Sequence, residues 1–99
     1  MILEIAQFEI KPGSEEAFEA AVAQAEPLFR HSQGCLGVRL KRSVELPSRY
    51  RLLIEWNTLE DHTVAFRGSE NFVRWRALIQ DCLAGAPVVE HFAEALRKP

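Results

Sequence analysis

The sequence predicts an α+β fold in the order β-α-β-β-α-β, with four antiparallel strands on one side and two helices on the other. Three observations point there. Runs rich in β-branched and aromatic residues recur and end at turn signals such as "KPG" and "LPS". Between them, apolar residues return at spacings of three and four, the period of a helix face. The strand runs are apolar on both faces instead of cleanly alternating, so the face without helices needs its own cover.

The first strand covers residues 2–10 and stops at "KPG". Ser14 then caps a helix whose first turn carries Glu15 and Glu16, acidic groups at the positive end of the helix dipole. Phe18, Ala21, Val22, Ala25 and Phe29 form its apolar stripe. Pro27 lacks a backbone donor, which predicts a kink or an early stop there, with Gly34 closing the turn beyond. "CLGVRLKRSVE" reads as the second strand and "RYRLLIEWN" as the third, joined as a hairpin across "LPS". Leu36, Val38 and Leu40 share one face of the second; Tyr50, Leu52, Ile54 and Trp56 share one face of the third. Thr58 caps a second helix, Gly68 interrupts it, and Ser69 restarts a longer run through Phe72, Ile79 and Leu83. "APVVEHFAEA" is the fourth strand and "LRKP" frays.

The 99 residues make one domain, 1–99, long enough for a core and too short for a second one. With 47% hydrophobic and 26% charged residues and a formal charge of −2, nothing favours nucleic acid or an anionic membrane surface as partner. "MILEIAQFEIKPG" alternates like a strand and carries no basic leader, so the cytoplasm is the expected compartment. Cys35 and Cys82 have no CxxC or Cys/His neighbours and read as small buried hydrophobes, with a disulfide the less favoured alternative. Leu3 and Ile5 oppose Ala6 and Phe8, Leu53 opposes Ile54, and Val88 opposes Val89. A second copy of the chain is the simplest cover for the outer face, which predicts a homodimer packed sheet against sheet.

Two polar residues stand where the helices should be dry. His62 lies between Leu59 and Phe66 at spacings of three and four, near the helix start, where the dipole and burial favour a neutral imidazole. It is either a proton-accepting group for a phenolic hydroxyl or a core histidine satisfied by a backbone carbonyl. Arg76 shares a stripe with Phe72 and Ile79; its head either snorkels to water or faces an acid or an anionic ligand. Trp56 closes the third strand on the helix side, and its indole N–H needs a partner, which simple packing or a ligand can supply. His91 shares a strand face with Val89 and Ala93, and alternation leaves open whether that face meets the helices or a second subunit. His31 only complements the end of the first helix, and Arg39, Lys41, Arg67 and Arg74 read as solvated face. No glycine-rich phosphate loop, GxSxG or HExxH is present, and three isolated histidines give no metal-ligand spacing, so no cofactor is expected.

Taken together, "IAQFEIKPGSEEAFEAA", "GCLGVRL", "RYRLLIEWNTLEDH", "SENFVRW" and "VVEHF" span nearly the whole chain and resemble the antibiotic biosynthesis monooxygenase family. The "GCLG" turn, the "EW" ending the third strand and the Ser-x-x-Phe opening of the last helix carry the likeness. The resemblance implies a ferredoxin-like dimeric α+β barrel. It further implies oxidation of small aromatic or quinol-type substrates by dioxygen, without metal, flavin or haem, in a pocket between sheet and helices. In the polyketide-tailoring members a tryptophan ends the third strand, a tyrosine follows on the second helix and an arginine sits on the last. The matching positions here are Trp56, His62 and Arg76. Where those enzymes carry an asparagine four positions before the tryptophan, this chain has Leu52 and lacks that donor. Where many relatives carry a later histidine on the second helix, it has Ala65 or Phe66. The haem-degrading branch uses a strand-one asparagine, a helical tryptophan and a last-helix histidine; Ala6, Gln7, Phe66 and Arg76 stand instead, which argues against haem degradation.

The expected catalytic residues are therefore His62, holding the phenolic proton, and Arg76, stabilising phenolate or peroxide. Trp56, Leu52, Phe66, Phe72 and His91 are the expected substrate-binding residues, Trp56 by stacking on the ring. Two rival readings remain. One is a non-catalytic dimeric module binding a small aromatic metabolite; the other is a purely structural dimer without a pocket.

Overall fold

A computed structural model describes residues 1–96; part of "LRKP", residues 97–99, lies outside the described residues. The elements follow in the order β1 (Ile2–Glu9), α1 (Glu15–Arg30), β2 (Cys35–Arg42), β3 (Arg49–Trp56), a π-helical turn (Asp61–Phe66), α2 (Glu70–Ile79), a 3₁₀ turn (Gln80–Cys82) and β4 (Val88–Phe92). The strands form one antiparallel sheet in the order β2-β3-β1-β4. This is the α+β, ferredoxin-like β-α-β-β-α-β arrangement read from the sequence. No helix among the described residues is long and apolar enough to cross a membrane.

Alternation assigns the faces. On β1, Glu4, Ala6 and Phe8 are buried toward the helices, and on β3 Tyr50, Leu52, Ile54 and Trp56 are buried beside them. Helix α1 closes the layer with Phe18, Ala21, Val22, Ala25 and Phe29, and α2 adds Trp75 and Ile79. Aromatic rings bind these parts: Trp75 meets Phe8 and Phe29 edge-on, and Phe18 lies between Phe8 and Tyr50. Each large apolar side chain buried this way contributes about 1.5–3 kcal/mol.

Several local expectations are corrected. Helix α1 runs through Pro27 to Arg30. The bond that proline cannot make would reach the carbonyl of exposed Ala23, which water can satisfy, while buried Ala25 and Phe29 hold the turn on either side. Ser14 occupies the N-cap position, but its hydroxyl makes no cap bond; the Glu15 carboxylate instead accepts from the Gly13 N–H and the Ser48 hydroxyl. On β2, a bulge between Cys35 and Gly37 leaves Leu36 unpaired and 56% exposed, so Cys35, Val38 and Leu40 pack on the core face. The fourth strand is five residues, shorter than "APVVEHFAEA".

The segment read as a second α-helix is a π-helical turn, with Arg67 N–H bonded to the His62 carbonyl five residues back. Thr58 and Asp61 cap its start reciprocally: Asp61 N–H donates to Thr58 Oγ1 and Thr58 N–H to Asp61 Oδ2. Leu59, read as an inward neighbour of His62, is 40% exposed. Gly34, at φ +76°, closes the turn after α1, and a Cβ there would lie 2.0 Å from Asp61 Oδ2. Gln33 also donates to Asp61, and Asn57 N–H to the Gly34 carbonyl, so this turn clamps the start of the π-helical turn. Ser69 caps α2 as expected, accepting from Phe72 N–H.

The opposite face of the sheet carries Leu3, Ile5, Leu53, Val88 and Phe92 interleaved with Gln7, Arg51, Glu55 and Glu90; the apolar pairs in register are Ile5 with Leu53 and Leu3 with Phe92. Cys35 and Cys82 are free thiols, half-buried and buried respectively.

Candidate active site

A cavity of about 320 Å³ lies between the sheet and the helical segments, within the size range of small-molecule sites. Its walls are mainly apolar: Ala6, Phe8 and Leu52 from the sheet, Phe66 from the π-helical turn, and Phe72, Trp75 and Ile79 from the α2 side. Four charged or titratable side chains join them. Glu4 and His62 are buried, whereas Arg67 and Arg76 are exposed and bring guanidinium heads to the cavity from water. The Arg76 head lies 5.8 Å from the centre of the Phe72 ring, a cation–π distance.

Glu4 sits on the central strand β1, 5% exposed, with its Oε1 accepting from the Trp56 indole N–H at 2.9 Å. The same oxygen is 3.4 Å from His62 Nε2, and His62 Nδ1 is 2.7 Å from His91 Nε2. His91 faces the helices because it pairs directly opposite Glu4 across β1 and β4. The Trp56 indole stacks on the His62 ring, centres 5.3 Å apart and planes 19° apart, so it lies behind the imidazole.

Burial pushes the Glu4 carboxyl up to about 7, against the Trp56 hydrogen bond and the Arg67 charge, which pull it down. Burial, then Arg67 and His91, push His62 down to about 4. Burial and Arg67 also lower His91. The Glu4–His62 contact has the distance of an ion pair, but both shifts favour a carboxylic acid beside a neutral imidazole. We read it as a neutral contact because two buried charges here would gain little to offset their desolvation. Among the described residues no group of three His, Cys, Asp or Glu side chains is arranged to hold a metal ion.

Residues 1–78 match the family model described as antibiotic biosynthesis monooxygenase. The chain is 42% identical over 94 residues to the uncharacterized protein YczJ of Bacillus subtilis (strain 168), covering 95% of this chain and 99% of that one. The chain belongs to the antibiotic biosynthesis monooxygenase family. A crystal structure named for the same family, from Bordetella bronchiseptica, superposes with a TM-score of 0.93 at 48% identity, covering 96% of this chain and 97% of that chain. One from Nitrosomonas europaea superposes at 0.82 with 22% identity, covering 97% and 100%, and shares the fold.

Within this member of the family, His62, Arg76, Leu52, Phe66 and Phe72 all line one cavity. Trp56 and His91 are not among its lining side chains. Trp56, expected to stack on a substrate ring, is fully buried against His62, and its N–H donates to Glu4. His91 reaches the cavity only through His62. Both His62 nitrogens face side chains, Glu4 and His91, which replaces the backbone carbonyl of the core-histidine alternative. The lining residues that sequence reasoning misses include Trp75 and Glu4, which shares the β1 face with Ala6 and Phe8, while Arg67 is exposed as expected but also lines the cavity. A lone carboxylate at period two among core residues is the signal that finds Glu4.

Proposed function

We propose that this chain is a monooxygenase that oxidises a small phenolic or quinol-type aromatic with dioxygen, without an added cofactor. The observation that carries the reading is the composition of the cavity: apolar walls of aromatic-ring size, a buried Glu4–His62 pair at one end and two guanidiniums reaching in from water. The family's name and the chain's membership in it supply the reaction type.

The stoichiometry needs no outside reductant. A phenol with a free para position and one dioxygen give a para-quinone and one water; one oxygen atom enters the ring and the other leaves as water. The substrate hydroxyl is held where Glu4 and His62 meet the cavity, and withdrawing its proton raises the ring's electron density toward dioxygen. Arg76, with Arg67 beside the same space, stabilises the phenolate and then the peroxide anion. Phe66, Phe72 and Leu52 pack on the ring and exclude water. The functional unit in this reading is a homodimer joined through the outer sheet face and working in the cytoplasm; Leu3, Ile5, Leu53, Val88 and Phe92, set among Gln7, Arg51, Glu55 and Glu90 on that face, support that assembly.

Oxygen uptake with a panel of phenols and hydroquinones tests the activity. Uptake is expected with at least one, lowered about a hundredfold or more in Arg76→Ala and in His62→Ala. Leu52, buried in the cavity wall and offering no hydrogen bond, favours a second reading, a binder of small aromatics. A melting temperature raised by ligands that are never oxidised would decide for the binder.

A further inference from the structure

We infer that Glu4, His62 and His91 form one proton-holding line: Glu4 ionises by passing its proton to His62 while His62 passes its own to His91, and the carboxylate so formed takes the proton of a hydroxylated aromatic ligand. The ligand class rests on the proposed function; the line itself stands on geometry. Three titratable side chains from three separate elements meet end to end: Glu4 Oε1 to His62 Nε2 at 3.4 Å, and His62 Nδ1 to His91 Nε2 at 2.7 Å. The line starts at a residue lining the cavity and ends at a half-buried histidine on the edge strand β4. The imidazole in the middle is clamped by Trp56 stacking and by its place in the π-helical turn, so its two nitrogens keep their assigned partners.

A 2.7 Å contact between two ring nitrogens requires one donor and one acceptor. With a protonated Glu4, the carboxyl O–H faces a bare His62 Nε2, and His62 Nδ1–H donates to His91 Nε2. With an ionised Glu4, His62 carries its proton on Nε2 toward the carboxylate, and its bare Nδ1 accepts from His91 Nε2–H. Between the two arrangements the Glu4 proton moves to His62 Nε2, the His62 Nδ1 proton moves to His91 Nε2, and one proton leaves His91 Nδ1 for water. The electron pairs stay on the atoms that release the protons, and no redox change occurs. Oxidation of a phenol to a quinone and water releases no net proton, so the proton taken from the hydroxyl must come back to the departing oxygen, and the protonated Glu4 carboxyl, which lines the cavity, returns it.

The charged and titratable groups around this line are few. Trp56 on β3 donates to Glu4, Arg67 just after the π-helical turn disfavours protonation of all three, the Cys35 thiol on β2 feels Glu4, and Arg76 on α2 shares the cavity. Burial holds Glu4 in reach of neutral pH as a base, whereas His62 is held too low to take a second ring proton.

Nitrogen-15 NMR of the histidine rings in ligand-free protein, followed across neutral pH, tests the line. The expected result is a single titration in which the His62 proton switches from Nδ1 to Nε2 as the Glu4 carboxyl ionises, with His91 switching in the same step. Glu4→Gln, which keeps the shape and an acceptor for Trp56, is expected to abolish the switch. A His62 ring that keeps one tautomer while Glu4 ionises, or a switch that survives in Glu4→Gln, overturns the line. With 4-nitrophenol as probe, without oxygen and below the probe's own pKa, wild type is expected to show the bound phenolate absorption and Glu4→Gln to lose it. Equal phenolate absorption in both proteins overturns the role of Glu4. Neither measurement depends on turnover, so an intact switch with no oxygen uptake would sink the proposed function alone.

Discussion

A carboxylic acid beside a neutral imidazole carries the same number of protons as a carboxylate beside an imidazolium, and that equality governs how Glu4 and His62 affect stability. Glu4 has its folded pKa raised from 4.5 to about 7, so its contribution is complete below 4.5 and is lost as pH rises through about 7. His62 has its folded pKa lowered from 6.5 to about 4, so its contribution is complete above 6.5 and is lost as pH falls through about 4. Between 4.5 and 6.5 the two slopes oppose each other and wild-type stability is nearly level. Glu4→Gln removes one slope. Relative to wild type, the variant is expected to gain stability steadily from about pH 4.5 to 7, by on the order of 3 kcal/mol at most, measured by urea unfolding at each pH. A difference independent of pH would show that the Glu4 carboxyl is not perturbed. At this scale the sequence was partly legible: the periodicity around Phe66 and Phe72 brought out His62 and Arg76, and alternation along β1 marks Glu4 in hindsight. The His62–His91 contact was not legible, because it joins residues 29 apart and depends on the register of an edge strand.

The element that presents His62 is built by its neighbours more than by its own sequence. The Gly34 turn presses against Asp61, one residue before His62, and Asp61 is held by Gln33 and Thr58. Gly34→Ala would put an alanine at φ +76° with its Cβ inside the Asp61 carboxylate. The expected loss is about 2 kcal/mol or more, together with weaker ligand binding, because the π-helical turn must shift to make room. Thermal unfolding and ligand titration check both parts, and an alanine variant of unchanged stability would mean the turn relaxes freely. Pro27 is the converse case. Being exposed and inside a helix that persists around it, Pro27→Ala restores one hydrogen bond and should stabilise by about 1–3 kcal/mol with binding unchanged. The proline's effect on α1 was misread from sequence because local propensity was outweighed by the burial of Ala25 and Phe29. The π-helical turn was hidden because three- and four-residue spacings do not distinguish it from a short α-helix.

At the scale of the molecule, the order of elements was legible almost in full, since turn and cap residues such as Gly13, Gly34 and Ser69 separate the periodic runs. The bulge at Leu36 was not, because one inserted residue leaves no mark in an alternating pattern until the partner strand is known. The outer sheet face sets the last prediction. Leu53 lies on that face at the centre of the sheet, opposite Ile5. Leu53→Arg is expected to convert a dimer to a folded monomer in sedimentation; a wild-type chain that is already monomeric removes the basis for that assembly. The cysteines bear on the chemistry differently. Quinones are electrophiles that alkylate thiolates. Neither Cys35 nor Cys82 lines the cavity, Cys82 is buried, and burial raises the Cys35 pKa, keeping it a thiol. A protein that generated such a product would thus meet it with neither thiol at the cavity wall, and alkylation of its cysteines would be disfavoured over many cycles.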